Sequence, residues 1–173
     1  MVKVASIALF ATAVLGAVIR RDVAETLANL QKIDASVVSL TTTVRNWDGS
    51  VLGALGIQTA ATTVGNNIDS ANSAAADETV ASSQDSATLI SFISQTGEPN
   101  IATSLDALVG RKADFQSAGV SSLVLSTLRN LKSKNDAYGA TLLGLTAADQ
   151  KAAAQTVLAL IVSDFNEAIT AFS

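Results

Sequence analysis

The chain has 173 residues, of which 49% are hydrophobic, enough to build one domain around a continuous core. Aromatic residues are only 4%, so Ala, Leu, Val and Ile must supply most of that core. The formal net charge of −4, without a cluster of Lys and Arg, argues against binding to nucleic-acid phosphates or to anionic lipid surfaces.

The first 17 residues have the layout of a secretory signal peptide, in which Lys3 precedes an apolar run that ends in small residues. A transmembrane helix is the alternative, but the apolar stretch 4–19 is shorter than the roughly 20 residues that span a bilayer. Residues 18–21 then form a predicted pro-segment that ends in two arginines. We therefore expect a secreted, extracellular protein whose mature part, residues 22–173, is one domain without a transmembrane segment.

Apolar residues at alternating spacings of three and four predict a long amphipathic helix from Asp22 to Trp47. Asp22 is its predicted N-cap. The pair Asp48-Gly49 is predicted to end it, because glycine readily adopts the left-handed conformation found after helices. We interpret Trp47, the only tryptophan, as an anchor that closes one end of the core, in preference to a residue that stacks on a ligand.

Residues 50–56 are predicted to be a connector, because two glycines disfavour a long regular helix there. A second helix is predicted from residue 57 to about residue 76, with mostly small side chains on its apolar face. Such side chains either bring neighbouring helices together or leave space beside them.

A polar loop is predicted over residues 77–85, followed by a third helix that begins near Ser86. Pro99 lacks a backbone donor and clashes with the preceding turn, so the third helix should be kinked or broken there. Gly119 separates this helix from a fourth.

Residues 146–149 resemble a capping box, and the last helix follows them to the C-terminus. No segment shows the alternation of a β-strand. The sequence therefore predicts an all-α fold, an antiparallel bundle of about five amphipathic helices.

Catalysis has little support in the sequence. The chain contains no His and no Cys, which removes Ser-His triads, thiol nucleophiles and the usual zinc ligands. Carboxylate pairs at residues 22 and 25, 77 and 78, and 164 and 167 lie at helix ends or on polar faces, whereas catalytic pairs normally need burial. We predict a protein that is not an enzyme and needs neither cofactor nor metal.

Binding inside the bundle is the remaining possibility, because dry apolar voids between Ala-rich helices take up alkyl chains. A tightly packed bundle without a cavity is the alternative, and the periodicity does not decide between them. The predicted lining of a cavity is apolar and comprises Leu55, Ile57, Val64, Ile68, Leu89, Phe92, Ile93, Leu105, Leu108, Phe115, Leu123, Val124, Leu128, Leu142, Ile161 and Phe165. Candidate donors for a carboxylate head group at the mouth are Gln58, Ser121, Ser122 and Tyr138.

Short blocks along the mature chain carry a family resemblance: residues 40–44, 47–49, 57–61, 68–71, 105–108, 118–125 and 164–169. In order and spacing they resemble the fungal hydrophobic surface-binding protein A family, which also contains cell-wall galactomannoproteins. The resemblance implies an extracellular or wall-associated helical domain that adsorbs to hydrophobic surfaces and, in the mannoprotein branch, encloses a fatty acid. It also implies that secreted hydrolases are recruited as partners, and it offers no catalytic residues.

Two functional hypotheses follow. In the first, the protein binds a long-chain fatty acid or another apolar ligand in a cavity between its helices. In the second, it coats hydrophobic solids and recruits secreted hydrolases without a stored lipid. An enzyme is the third and weakest class.

Overall fold

The computed structural model describes the backbone of residues 12–173 and the side chains from residue 23 onward. Most of the predicted signal peptide, residues 1–11, lies outside the described residues, and its cleavage remains a prediction. The described chain is helical and contains no strand, which confirms the predicted all-α fold. Its α-helices are α1 (Thr12–Arg45), α2 (Val51–Ala75), α3 (Ser83–Phe92), α4 (Glu98–Gly110), α5 (Lys112–Ser117), α6 (Ser121–Leu145) and α7 (Lys151–Phe172).

The five long helical segments form a closed ring around the core. Going round it, α1 packs on α2, α2 on α6, α6 on α7, α7 on α4, and α4 on α1 again. Short connections join α1 to α2 and α6 to α7, so these neighbours are antiparallel. The inward faces carry the buried apolar residues, so the space that they leave lies between the helices.

The beginning of α1 differs from the prediction. The helix starts at Thr12, upstream of Asp22, so Asp22 does not cap it in the full chain and that prediction is wrong. Residues 12–21 contain no proline, so no residue there is incompatible with a helix. The predicted end is confirmed, because α1 stops at Arg45 and Gly49 has a φ of 83°.

The predicted connector at residues 50–56 is wrong, because α2 begins at Val51. Ser50 caps the helix: its Oγ accepts a hydrogen bond of 2.9 Å from the backbone N–H of Gly53. Gly53 lies against Trp47, where an added Cβ would come within 2.6 Å of the ring. This glycine therefore permits a close approach and does not interrupt the helix.

Trp47 is buried and closes one end of the bundle, as interpreted from the sequence. Its ring stacks on Phe115 with 4.4 Å between centroids, and Phe115 meets Phe172 edge-on at 6.0 Å. Arg111 covers the indole at 5.2 Å and donates from Nη2 to the Trp47 carbonyl oxygen at 2.7 Å. The aromatic residues of this end thus form one packed cluster.

A π-helical turn, Ile93–Gly97, joins α3 to α4. It ends two residues before Pro99, which lies in the first turn of α4 and has no backbone N–H to donate. The prediction of one bent helix or two closely joined ones near Pro99 is confirmed. α4 ends at Gly110, and Gly119, with a φ of 71°, precedes α6.

The predicted capping box at residues 146–149 is wrong. The Thr146 hydroxyl donates to the Leu142 carbonyl oxygen at 2.7 Å, and Asp149 accepts from the Ser83 hydroxyl at 2.9 Å. A 3₁₀ turn, Ala148–Gln150, leads into α7 instead. The side chains that could cap α7 are already bonded to α6 and α3, which local sequence does not reveal.

Candidate apolar ligand site

Apolar space remains between the helices in four neighbouring voids. The first void lies beneath the loop of residues 76–82, is partly open, and has a water-accessible volume of about 40 Å³. Its walls include Val80 of the loop, Leu89 of α3 and Leu158 of α7. The second void has a water-accessible volume of about 50 Å³, and its walls include Phe92 of α3 and Tyr138 of α6.

The third and fourth voids continue towards the aromatic cluster. The third lies between Val64 of α2, Leu105 of α4 and Phe165 of α7, with a water-accessible volume of about 40 Å³. The fourth reaches Ile57 and Phe115, with a volume of about 30 Å³. Both are partly open, like the first two.

Consecutive voids share walls. Leu142 lines the first and second, Ile68 the second and third, and Leu128 the third and fourth. α6, about 37 Å long for its 25 residues, contributes to all four. The voids therefore form a row that follows α6, in which each void shares wall residues with the next.

The structure brings most of the predicted lining residues to this row. Those that line at least one void are Ile57, Val64, Ile68, Leu89, Phe92, Ile93, Leu105, Leu108, Phe115, Leu123, Val124, Leu128, Leu142, Ile161 and Phe165. Leu123 does so from the rim, being 39% exposed. Leu55 does not belong with them: it is 55% exposed on the outer face of α2, whose register turns Ala54 and Ile57 inward.

The predicted head-group donors divide into two pairs. Tyr138 lines the second void, is 5% exposed, and its hydroxyl has no hydrogen-bond partner. Gln58 lines the fourth void, and its Oε1 accepts from Thr127 Oγ1 at 2.8 Å. Ser121 and Ser122, in the first turn of α6, do not line these voids, and Ser122 is exposed.

The sequence analysis did not predict several residues that line the first void. Glu78, Val80 and Ala81 come from a segment that was interpreted only as a polar loop. Ala81 N donates to the Leu145 carbonyl oxygen at 2.8 Å, which holds the loop against the end of α6. The feature of the sequence that could have indicated this part of the wall is Val80, an apolar residue within a polar segment.

The charged residues that line the four voids, among the side chains that the structure describes, are both acidic. Glu78 accepts from the Thr26 hydroxyl at 2.7 and 2.9 Å, and Asp34 accepts from Asn100 Nδ2 at 2.8 Å. Burial raises the pKa of Tyr138 well above its ordinary value, and the charge of Glu78 raises it further. The Tyr138 phenol therefore stays protonated and can donate a hydrogen bond.

Within the part of the chain that the structure describes, no cluster of acidic side chains is placed to hold a metal ion. No described helix has both the length and the apolar character needed to cross a membrane.

The ring of helices and the row of voids define an all-helical bundle with an apolar interior site. The chain belongs to the hydrophobic surface binding protein A family, whose sequence model matches residues 23–144. This confirms the family resemblance. Comparison with curated protein sequences gives no match.

Solved structures share this fold. The crystal structure of Afmp4p in complex with palmitic acid is 34% identical, with a TM-score of 0.84, over 87% of this chain and 99% of Afmp4p. Ligand binding domain 1 of the Penicillium marneffei MP1 protein, complexed with arachidonic acids, has a TM-score of 0.84 at 13% identity, over 88% of this chain and 99% of that one. Domain 2, complexed with multiple arachidonic acids, has a TM-score of 0.83 at 14% identity, over 87% and 95%. At these lower identities the likeness concerns the fold.

Proposed function

We propose that this protein binds a fatty acid or another long apolar ligand in the row of voids between its helices. The observation that carries the proposal is the row itself, an apolar interior whose consecutive voids share their walls. The palmitic acid complex of Afmp4p, similar over almost its full length, supports the same ligand class. Each buried methylene contributes about 0.8 kcal/mol before ordering costs, so a long chain can bind tightly.

Palmitate uptake by delipidated protein tests this function. Native mass spectrometry should show a complex with palmitate, and lipid extraction of the freshly purified protein should release a long-chain fatty acid. Failure of the delipidated protein to take up palmitate would contradict the proposal.

A pair of alanines on α7 supplies a matched control for that experiment. Ala154 is buried and lines the first void, whereas Ala153 is exposed. Ala154→Phe places a ring in the void and should weaken palmitate binding, because the ring occupies the ligand's space. Ala153→Phe adds the same ring outside the void and should bind as the unchanged protein does.

We propose surface adsorption as a second function, because α2 begins with an exposed apolar patch. Val51, Leu52 and Leu55 are 59%, 78% and 55% exposed. The apolar patch, as we call these three residues, can contact wax or plastic without opening the bundle. The family resemblance extends this proposal to secreted hydrolases as recruited partners.

Adsorption to polystyrene beads tests the apolar patch. The double variant Leu52→Ser/Leu55→Ser should leave more protein in solution, because less apolar area can leave water on contact. Its palmitate binding should not change, since neither residue lines the voids. Unchanged adsorption of the folded double variant would contradict a role for the patch.

We further propose that the protein is secreted, is associated with the cell wall, and is not an enzyme. The layout of residues 1–21 supports secretion, and the mature N-terminus is expected at Asp22. N-terminal sequencing of protein from the culture medium tests this, and a retained Met1 would contradict it. Ester hydrolysis that persists through repurification would contradict the absence of catalysis.

A further inference from the structure

Unpaired polar groups lie in the middle of the row of voids. The hydroxyl oxygens of Ser104, on the wall of the third void, and Tyr138, on that of the second, are buried without a hydrogen-bond partner. The two residues are only 4% and 5% exposed. Asn135 lines both of these voids and lies one turn before Tyr138 on the same face of α6. We call Ser104, Asn135 and Tyr138 the polar centre.

Among the described side chains, Ser121 Oγ is also buried without a partner, but Ser121 does not line the four voids, and other buried hydroxyl groups are paired. Thr41 donates to the Val37 carbonyl oxygen at 2.9 Å, and Ser86 accepts from Ala147 N at 3.0 Å. Buried polar groups in native proteins are almost always paired, because an unpaired one loses its water without replacement. The unpaired hydroxyl groups of the polar centre therefore indicate a position where a ligand can supply the missing partner.

The charges around the voids restrict what that partner can be. Asp34 of α1 and Glu78 of the loop are the charged residues on the walls, and among the described side chains α2, α3, α4, α6 and α7 add none. An ionised carboxylate at the polar centre would thus meet two acidic groups and no cation. An uncharged oxygen avoids this repulsion and still accepts hydrogen bonds.

We propose that the polar centre holds the uncharged oxygen head group of an alkyl ligand, the hydroxyl of a fatty alcohol or the protonated carboxyl of a fatty acid. Tyr138 donates to that oxygen, with Ser104 and Asn135 beside it. The site therefore prefers neutral heads to ionised ones. This inference rests on the proposed binding of apolar ligands in the row.

Three ligands with the same chain length distinguish the contribution of the head group to binding from that of the alkyl chain. Dodecane, 1-dodecanol and dodecanoate, ionised at pH 8, compete with a fluorescent apolar dye for the delipidated protein. The unchanged protein should bind dodecanol more tightly than dodecanoate. Tyr138→Phe should weaken dodecanol binding about three- to tenfold, the effect of one hydrogen bond, and leave dodecane binding within about twofold.

Two further variants complete the design. Ser104→Ala should weaken dodecanol binding in the same direction, which keeps the test valid if Tyr138→Phe folds poorly. Ser122→Ala removes an exposed hydroxyl of α6 and should change nothing.

The outcomes distinguish this inference from the function on which it rests. Dodecanoate binding as tightly as dodecanol, or dodecanol binding unaffected by Tyr138→Phe and Ser104→Ala, overturns the neutral head-group site alone. Failure of all three ligands to displace the dye overturns the proposed function as well.

Discussion

Two glycines of α2 differ in what surrounds them, although both lie in a segment that the sequence predicts as a connector. Beside Gly53, an added Cβ would lie 2.6 Å from Trp47 Cδ1 and 2.8 Å from Asp48 Oδ1. Beside Gly56, the nearest atom would be the Thr43 methyl group at 3.9 Å. The close packing that closes the aromatic end therefore depends on the first glycine only.

Alanine substitutions should separate these two positions. Gly53→Ala should lower the free energy of unfolding by about 1–3 kcal/mol, because the Trp47 ring must move. Gly56→Ala should raise it by about 0.5–1 kcal/mol, because alanine favours the helix and meets no clash. Urea unfolding measures both, and equal effects of the two substitutions would contradict the packing at Gly53.

Asp164 is the residue whose environment most clearly predicts a pH effect. Burial raises the pKa of its carboxyl group, and the neighbouring Glu167 and Asp106 raise it further. Its Oδ2 is buried without a hydrogen-bond partner. The folded state therefore holds the Asp164 proton more tightly than the unfolded state. The ionised carboxylate destabilises the folded protein, and this destabilisation decreases as the pH falls from the raised pKa towards 3.8.

Asp164→Asn should raise the melting temperature at pH 7, because the partly buried negative charge beside Glu167 and Asp106 is gone. The gain should shrink as the pH falls through the raised pKa and should be absent below the ordinary value of 3.8. Thermal unfolding across this range measures it. Asp77→Asn, in an exposed turn, is the control, and a pH-independent gain from Asp164→Asn would contradict the assignment.

At the scale of elements, the start of α3 holds the connection between α6 and α7. Ser86 is buried and accepts a hydrogen bond of 3.0 Å from the backbone N–H of Ala147, while exposed Ser83 donates to Asp149. The loop of residues 76–82 is bonded to the same corner through Ala81. These hydrogen bonds therefore hold in place Ala81 and Ser86, which line the first void.

Alanine at Ser86 and at Ser83 should therefore have unequal effects. Ser86→Ala leaves a buried N–H unpaired and should lower the free energy of unfolding by about 1–3 kcal/mol. Ser83→Ala removes an exposed hydrogen bond and should change it by no more than about 0.5 kcal/mol. Urea unfolding compares them, and a larger loss at Ser83 would show that the corner is held differently.

At the scale of the whole molecule, folding stability and ligand binding both depend on the packing of the same core. The chain has no cysteine, so no disulfide supports the ring, and its core must accommodate four voids. Void walls lack part of their packing contacts, which a bound alkyl chain would supply. Ligand binding and folding stability should therefore be coupled.

Palmitate should raise the melting temperature in proportion to the logarithm of its free concentration. At one hundred times the dissociation constant the stabilisation is about 2.7 kcal/mol, roughly 5–10 °C for a domain of this size. Differential scanning fluorimetry measures the shift. Palmitate should raise the melting temperature of Leu52→Ser as much as that of the unchanged protein, and that of Ala154→Phe by less. If palmitate does not raise the melting temperature of the unchanged protein, binding to the folded state is contradicted.

The sequence alone determined what depends on near neighbours in the chain. Apolar spacing predicted the long helices, and Gly49, Pro99 and Gly119 predicted where they end or change direction, because these are backbone properties of single residues. The absence of His and Cys argued against Ser-His triads, thiol nucleophiles and the usual zinc sites, because these need the side chains of those residues.

Only the tertiary structure decided which faces the helices present to one another. Leu55 was predicted to line a cavity but lies outside, because Ser50 caps α2 and the register of the helix turns Ala54 and Ile57 inward. Thr146 could cap a helix but bonds to Leu142, and the polar loop around Val80 forms a wall of the first void. The voids arise from side chains distant in sequence that fail to fill the ring, so periodicity predicts their lining residues but not the space between them.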